Sequence, residues 1–462
     1  MRFQRPRILA TCVAAVVAVV TVLAVLLGLT GPGRPAAPPP AAGAGGTAPI
    51  SVPAVLPVPA GAMSTGPAGL QAALAAGLRD PALGRGGAAV VVDARTGRTL
   101  LSTGTGAAVP PASTTQILTA VAALERLGGR SRLETRVVTG SRPDSLVLVG
   151  GGDSTLAGPE APRTYPAPAR LADLASGAAR ELAAAGVRRV RLTVDASLFA
   201  GPPLGPAWSP GYLTAGDVAP VSALEVDGGR VRPGARARSP DPALAAGRLF
   251  GRLLGRAGVT VVGQVSAARA PASAVPLAVV RSPTVASLVE RMLTDSDNDL
   301  AEALARLVAV RSGAPATFAG GAAAVRRAVV ALGVDPSAVA LYDGSGLSKA
   351  NRLQPRVLTS LLSLAASPGH PELRPVLAGL PVAGLTGTLI DRFAAPPALG
   401  AAGLVRAKTG TLTGVSTLAG VTLDVDGELL AFALVAPAAP ERRGAERALD
   451  RLAAVLAGCG CR

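Results

Sequence analysis

Three short motifs hold the residues whose types and spacing could do chemistry. They are STTQ at 113–116, SDN at 296–298 and KTGT at 408–411. A serine hydroxyl can attack a carbonyl when a nearby base takes its proton, and lysine is one of the bases that serve such serines. Each motif is short enough to recur by chance. The three together, in this order, indicate acyl transfer through a serine ester with help from lysine.

The histidine and cysteine counts argue against other catalytic chemistries. The one histidine, His370, lies in a loop between predicted helices, so a Ser-His-Asp triad would require this loop to reach the serine. The cysteines are Cys12, Cys459 and Cys461, and two of them lie in the last four residues. This distribution argues against a zinc site or another metal site with nitrogen and sulfur ligands. The sequence therefore predicts no metal and no cofactor.

The first motif is expected at the start of an amphipathic helix. The segment 109–129 begins with two prolines and continues with apolar residues at helical spacing. Ser113 would then lie at the positive end of the helix dipole, beside unpaired N–H groups that favour an alkoxide and a developing oxyanion. Gln116, three residues later, would share a helix face with Ser113 and could contact it.

The second and third motifs are expected on opposite sides of a cleft. Ser296 and Asn298 would lie in a loop that enters a helix, where they offer a hydroxyl for proton relay and an amide for a substrate carbonyl. Lys408 would lie on an edge strand that pairs with an extended peptide and supplies a cation for a terminal carboxylate. The chain has 45 basic residues, but its only lysines are Lys349 and Lys408. A lysine retained in this motif therefore favours a function for it.

Hydrophobic periodicity divides the main part of the chain into two units. Residues 67–133 and 280–458 alternate long helical patterns with strands and predict an α+β domain. Two of its last strands are expected to meet at a turn formed by Asp426 and Gly427. Residues 134–279 have short Val-rich strands and Gly/Pro loops, with Ala-rich helices expected at 169–185 and 241–257. This change of pattern predicts that 134–279 form an inserted α/β domain.

The N-terminal residues predict export and a tether. Residues 1–7 form a basic stub, and the uncharged apolar run 8–30 is long enough to span a membrane with the N-terminus in the cytoplasm. An uncleaved anchor is favoured, and a cleaved signal peptide remains the alternative. Residues 31–66 are rich in Pro, Ala and Gly and predict a flexible linker. Either alternative places the rest of the chain on the extracytoplasmic face of the cell membrane.

The net charge of +16 allows contact with anionic wall polymers or lipid headgroups. An arginine-biased composition spread over solvated faces explains the same charge at least as well. Nucleic acid is not an expected partner, because the protein is exported and only 2% of its residues are aromatic.

Several ordered segments resemble one family, the exported D-alanyl-D-alanine carboxypeptidase/endopeptidases, which are class C low-molecular-mass penicillin-binding proteins. The resemblance covers roughly residues 68 to 458 and extends beyond the three motifs. The segments that carry it are PASTTQILTA, VLVGGGDSTL, VDASLFAGPPLGPAW, APVSALEVDGGR, SDNDLAEAL, DGSGLSKANRL and VRAKTGTLTGVSTLAG.

The resemblance implies a serine β-lactamase/DD-peptidase-like (transpeptidase-like) α+β domain that acts on peptidoglycan stem peptides and is inhibited by β-lactams. It also implies an insert between the first two motifs, and 183 positions separate Ser113 from Ser296. Ser113 would be the acylated nucleophile, and its N–H group and that of Thr411 would form the oxyanion hole. The other residues that the resemblance places in the site are Ser296, Asn298 and Lys408 as catalytic groups and Asp297, Thr409, Gly410 and Thr411 as substrate-binding groups. The loop 343–351 would be a structural neighbour of the cleft.

Gln116 is the departure from the family pattern, because the family has a lysine at this position that is taken as the base for the serine. Glutamine fills a similar volume and keeps some hydrogen bonds, but it cannot accept a proton at any useful pH. Loss of a general base costs about 10² to 10⁴ in rate. Three outcomes remain open: Lys408 acts as the base through Ser296, the site binds wall peptides or β-lactams without turnover, or activity persists by another route.

Overall fold

The computed structural model describes residues 67–104 and 106–460. The predicted stub at 1–7, membrane segment at 8–30 and linker at 31–66 all lie outside the described residues. Within the described part, no helix is long and apolar enough to cross a membrane.

The regular elements alternate between helices and strands along the described chain. The strands are β1 (Ala88–Asp93), β2 (Thr99–Thr103), β3 (Arg132–Thr139), β4 (Ser145–Val149), β5 (Arg189–Asp195), β6 (Thr260–Val261), β7 (Ser266–Ala267), β8 (Pro276–Thr284), β9 (Val339–Ala340), β10 (Arg352–Leu353), β11 (Arg406–Leu412), β12 (Val415–Leu423) and β13 (Leu429–Ala436). The helices are α1 (Pro67–Leu78), α2 (Thr115–Leu127), α3 (Leu171–Ala184), α4 (Gly211–Ala215), α5 (Pro242–Arg256), α6 (Val285–Asp295), α7 (Asn298–Arg311), α8 (Phe318–Ala331), α9 (Pro355–Ala366), α10 (Arg374–Ala378) and α11 (Arg442–Gly458).

A five-stranded antiparallel sheet forms the centre of the larger part of the fold. Its strand order is β11-β12-β13-β1-β2. Successive residues of a strand point to opposite faces, and the two faces of β1 accordingly join different cores. Val90 and Val92 pack with the core that contains α2, α7 and α9. Ala89 and Val91 pack with the core that contains α1 and α11. The sheet is therefore buried on both faces, which explains why its central strands are almost entirely apolar.

A second, mixed sheet is formed by residues 132–284. Its strand order is β6-β5-β4-β3-β8, and β7 also pairs with β5. The pairs β4–β5 and β5–β6 are parallel, whereas β3 pairs antiparallel with both β4 and β8. Helices α3 and α5 cover one face of this sheet and build a separate apolar core with it.

The chain leaves the first sheet region after α2 and returns to it through β8 and α6. This path brings three places together: the turn before α2, the junction of α6 and α7, and the edge strand β11. The three motifs lie at these places.

Candidate active site

Ser113 lies in a tight turn that precedes α2. Residues Ala112–Thr114 form a 3-10 helix, and the α-helix itself begins at Thr115. The predicted helix over 109–129 is therefore shorter at its start, because Ala112 has a φ of 51°, which a regular right-handed helix does not allow. Such a conformation costs energy in a non-glycine residue and persists where its surroundings enforce it.

Two glycines allow neighbouring segments to pack directly against this turn and hold it in place. A Cβ at Gly346 would lie 1.9 Å from the carbonyl oxygen of Ala112, and a Cβ at Gly410 would lie 2.8 Å from that of Pro111. Thr417 Oγ1 also donates a hydrogen bond to Pro111 O at 3.0 Å. Gly410, predicted as a substrate-binding residue, therefore lets the turn that carries Ser113 pack directly on β11.

The second motif joins two helices. Ser296 ends α6 in the left-handed conformation, with a φ of 54°. Asp297 caps α7, because its Oδ1 accepts a hydrogen bond from Leu300 N at 3.0 Å. Its other oxygen lies 3.7 Å from Arg291 Nε. The carboxylate of Asp297 thus fixes the helix entry, whereas the side chain of Ser296 extends toward the third motif.

Lys408 is completely buried and contacts Ser296. Its Nζ donates hydrogen bonds to Ser296 Oγ at 2.8 Å and to the carbonyl oxygen of Thr409 at 2.7 Å. Among the described residues it makes no ion pair with a carboxylate. Burial without a counter-charge disfavours the ammonium form and lowers the pKa of Lys408 to about 7. A large fraction of this amine is therefore neutral near pH 7 and can accept a proton from Ser296.

Gln116 is also fully buried. Both hydrogen bonds of its side chain are made by the amide nitrogen to acceptor oxygens. Its Nε2 donates to Asn298 Oδ1 at 3.1 Å and to Ser345 O at 3.4 Å. The amide of Asn298 is held in this orientation because its Nδ2 donates to Asp217 O at 3.0 Å. Gln116 Oε1 has no hydrogen-bond partner within the described part of the chain. The cavity around position 116 therefore suits a donor such as a lysine ammonium better than an amide.

The loop 343–351 contacts Gln116 through the carbonyl group of Ser345. The buried carboxylate of Glu302 accepts hydrogen bonds from Gly344 N and Ser345 N, the latter at 2.7 Å. Burial and the nearby Asp343 raise the pKa of Glu302 to about 8. Asp343 accepts from Trp208 Nε1 at 2.8 Å and from Asn351 Nδ2 at 2.6 Å. These bonds fix the carbonyl group of Ser345 that contacts Gln116.

The edge strand β11 presents two backbone N–H groups toward the cleft that contains Ser113. Ala407 N donates to Pro381 O at 2.9 Å, on the side away from β12. In an antiparallel pair the direction of the N–H groups alternates, so those of Thr409 and Thr411 also point away from β12. Both threonines line the cleft. An extended peptide can therefore pair with this edge, and the N–H of Thr411 can serve an oxyanion.

A cleft of about 900 Å³ joins these groups. Its lining includes Ser113, Ser296, Thr409 and Thr411, whereas Gln116 and Lys408 lie buried behind its wall. His370, the alternative partner of a serine triad, does not line it.

The sequence reasoning missed most of the lining, including Asp217 and Thr388, which lie close to the predicted residues. Thr388 Oγ1 lies 2.8 Å from Thr409 Oγ1 and orients it. No motif marks either residue, and only the fold brings them to the cleft.

Comparisons with known proteins agree with this geometry. The profile of the D-Ala-D-Ala carboxypeptidase 3 (S13) family matches residues 70–239 and 232–456. A protein named as a carboxypeptidase in Mycobacterium tuberculosis is 41% identical over 379 residues, which are 80% of this chain and 79% of the relative. The carboxypeptidase DacB of Mycolicibacterium smegmatis is 40% identical over 376 residues and covers 80% of each chain.

A solved structure shows the same fold. It is penicillin binding protein 4 of Haemophilus influenzae, with a TM-score of 0.68 and 22% identity. The match covers 84% of this chain and 99% of the other. The predicted α+β fold is therefore confirmed for the described part of the chain.

Proposed function

The chain belongs to the D-Ala-D-Ala carboxypeptidase 3 (S13) family of serine peptidases, and from this premise we propose that Ser113 cleaves D-alanyl-D-alanine bonds of peptidoglycan stem peptides. The match to the family profile confirms the family prediction that was made from the motifs. The products would be D-alanine from a terminal bond, or separated stems from a cross-linked one. The acyl intermediate would be an ester on Ser113.

The observation that carries this proposal is the hydrogen bond between Lys408 Nζ and Ser296 Oγ, at 2.8 Å. It gives the site a buried amine with a pKa of about 7, although position 116 holds glutamine. A general base works best when its pKa lies near the working pH. Lys408 therefore supplies the base that Gln116 cannot, with Ser296 as the relay between Lys408 and Ser113.

The proposed reaction uses these residues as follows. The stem peptide pairs with the free edge of β11, and Asn298 and Thr409 orient its amide and terminal carboxylate groups. Ser113 Oγ attacks the carbonyl carbon while its proton passes through Ser296 to Lys408. The N–H groups of Ser113 and Thr411 stabilise the oxyanion.

The intermediate collapses when Lys408 returns the proton, again through Ser296, to the leaving amine. D-Alanine then departs. A water molecule, activated by the same pair, hydrolyses the ester and regenerates Ser113.

β-Lactams are inhibitors in this account. Their strained amide presents the same carbonyl to Ser113, and ring opening leaves an ester on the serine. The name of the structural relative, penicillin binding protein 4, supports this assignment.

We further propose that the apolar run 8–30 anchors the enzyme to the cell membrane and that residues 31–66 hold it on the extracytoplasmic face. The support is the length of this run and the arginines at 2, 5 and 7.

Release of the C-terminal alanine from a synthetic stem pentapeptide, measured by chromatography, tests the proposed function. We expect release from a peptide that ends in D-Ala-D-Ala and none from a control that ends in D-Ala-L-Ala. Equal release from both peptides, or none from either, would contradict the proposal.

A second candidate function is a binding protein without turnover, and the glutamine at position 116 is the observation that favours it. Fluorescent penicillin separates the two functions. A dye that stays attached after denaturation indicates an acyl-enzyme, whereas a dye that binds the native protein but is lost on denaturation indicates a binding protein.

Replacing Gln116 by lysine is expected to raise the acylation rate. A lysine at this position can take the proton of Ser113 directly, and it finds acceptors in Asn298 Oδ1 and Ser345 O. The gain should be some part of the roughly 10²- to 10⁴-fold that a positioned base contributes. The rate of penicillin labelling measures it, and Gln116→Met, similar in volume but without a base, is the control. A folded Gln116→Lys variant that labels no faster than the parent would show that Gln116 does not limit the reaction.

A further inference from the structure

The only histidine of the chain, His370, lies beside two carboxylates near the C-terminal end of α2. Ser113 precedes the opposite end of this helix. Glu125 is near the C-terminal end of α2, and His370 and Glu372 lie in the segment before α10. One ligand atom from each of the three side chains lies within 4.8 Å of the other two. His370 Nδ1 is 3.0 Å from Glu372 Oε1.

The two carboxylates of this group lie against each other and share a hydrogen bond. Glu372 has an ion pair only with His370, and Glu125 has none in the described ranges. The two carboxylates come from segments about 250 positions apart, so the fold, and not local sequence, brings them together.

We propose that Glu125, His370 and Glu372 bind a divalent transition metal ion, with Zn²⁺ as the expected occupant. Zn²⁺ takes imidazole nitrogen at about 2.0–2.1 Å and carboxylate oxygen at about 2.0–2.2 Å. Ligand atoms around one ion then lie roughly 3–4 Å apart. Side-chain rotations that move the ligand atoms by about 1 Å would therefore complete the site. The ring nitrogen distinguishes this set from a patch of acidic residues and favours Zn²⁺ over Mg²⁺ or Ca²⁺.

The exposure of the group suits exchange with solvent. The side chains of His370 and Glu372 are 33% and 44% exposed. Three protein ligands leave at least one coordination position for water. The ion would join the end of α2, the helix that follows Ser113, to the segment 370–372 and stabilise the folded state by binding to it alone.

The sequence predicts no metal site because it has one histidine and few cysteines. This prediction considered nitrogen and sulfur ligands and did not consider carboxylates. Those ligands become visible only when the fold places Glu125 beside His370.

Titration of the full-length protein with ZnCl₂ at pH 7.5 tests the proposal. The Cys459→Ser/Cys461→Ser double variant is used as the background, because the two thiols of the tail could bind zinc themselves. We expect one equivalent of Zn²⁺ to bind and to raise the thermal unfolding midpoint, and MgCl₂ at the same concentration to leave the midpoint unchanged.

His370→Ala and Glu125→Gln in this background should each weaken Zn²⁺ binding at least ten-fold. Without metal, both variants should unfold at the temperature of their parent, because the side chains lie at the surface. Glu134→Gln, which removes an exposed carboxylate elsewhere, is the matched control and should bind as the parent does. Zinc binding that survives His370→Ala unchanged, or no binding by the parent, would overturn the proposal.

Discussion

Ser113→Ala is expected to abolish covalent labelling by fluorescent penicillin and to reduce D-alanine release to background. Ser113 Oγ is the atom that forms the ester, and it lies in a turn fixed by close packing against Gly346 and Gly410. Loss of the serine nucleophile costs about 10⁶ in kcat in a serine peptidase that uses a similar acyl-enzyme. Gel fluorescence after denaturation measures the labelling, and a D-amino acid oxidase assay measures the released product.

Ser360→Ala is the matched control, because Ser360 is an exposed serine on α9 whose hydroxyl contacts only the carbonyl oxygen of Arg356. It should label as the parent does. Labelling of Ser113→Ala at the parental rate would place the nucleophile elsewhere and would remove the basis of the proposed reaction.

Lys408→Met is expected to lower the rate constant of acylation by about 10² to 10⁴, the usual contribution of a positioned general base. Methionine has a similar shape and no charge, so it fits the fully buried position, and the loss is confined to the two hydrogen bonds that Lys408 Nζ donates to Ser296 Oγ and Thr409 O. The variant should therefore fold, with Ser296 in place but without a proton acceptor. The second-order rate constant of penicillin labelling is the measurement.

The chain supplies its own control for this variant. Lys349 is the only other lysine, and it is exposed. Lys349→Met should label at the parental rate. If Lys408→Met also labels at that rate while folded, then the amine takes no part in the reaction and another route must activate Ser113.

Much of the fold could be predicted from local pattern. The predicted helices at 169–185 and 241–257 correspond to Leu171–Ala184 and Pro242–Arg256. The predicted turn at Asp426 and Gly427 separates β12 from β13. These elements have clear periodicity or a turn residue that requires positive φ, and such signals do not depend on the rest of the molecule.

The start of the helix after Ser113 could not be predicted in the same way. Its pattern is helical from the prolines onward, yet the α-helix begins at Thr115. The reason lies in tertiary packing, because the carbonyl groups of Ala112 and Pro111 pack directly against Gly346 and Gly410. Neither contact is visible in a local window of sequence.

The candidate site could also be predicted only in part. The motifs point to Ser113, Ser296 and Lys408 as a group, and the structure places Lys408 Nζ beside Ser296 Oγ. The complete burial of Lys408 and the acceptor-only surroundings of Gln116 depend on side chains from four separate segments. Sequence reasoning therefore identified Gln116 as a departure and named Lys408 as a base that could replace it, but it could not choose among the three outcomes.

The pH dependence of acylation tests the central claim, that Lys408 acts as the base through Ser296, most directly. The rate constant of penicillin labelling would be measured from pH 5.5 to 9 in the parent and in Lys408→Met. Lys408 accepts a proton only when it is neutral, and its pKa is lowered to about 7 by burial. The account predicts that the parental rate rises with pH through an apparent pKa of about 7 and then levels, and that this rise is absent in Lys408→Met. A parental rate that is constant over this range, or a rise that persists in Lys408→Met, would contradict it.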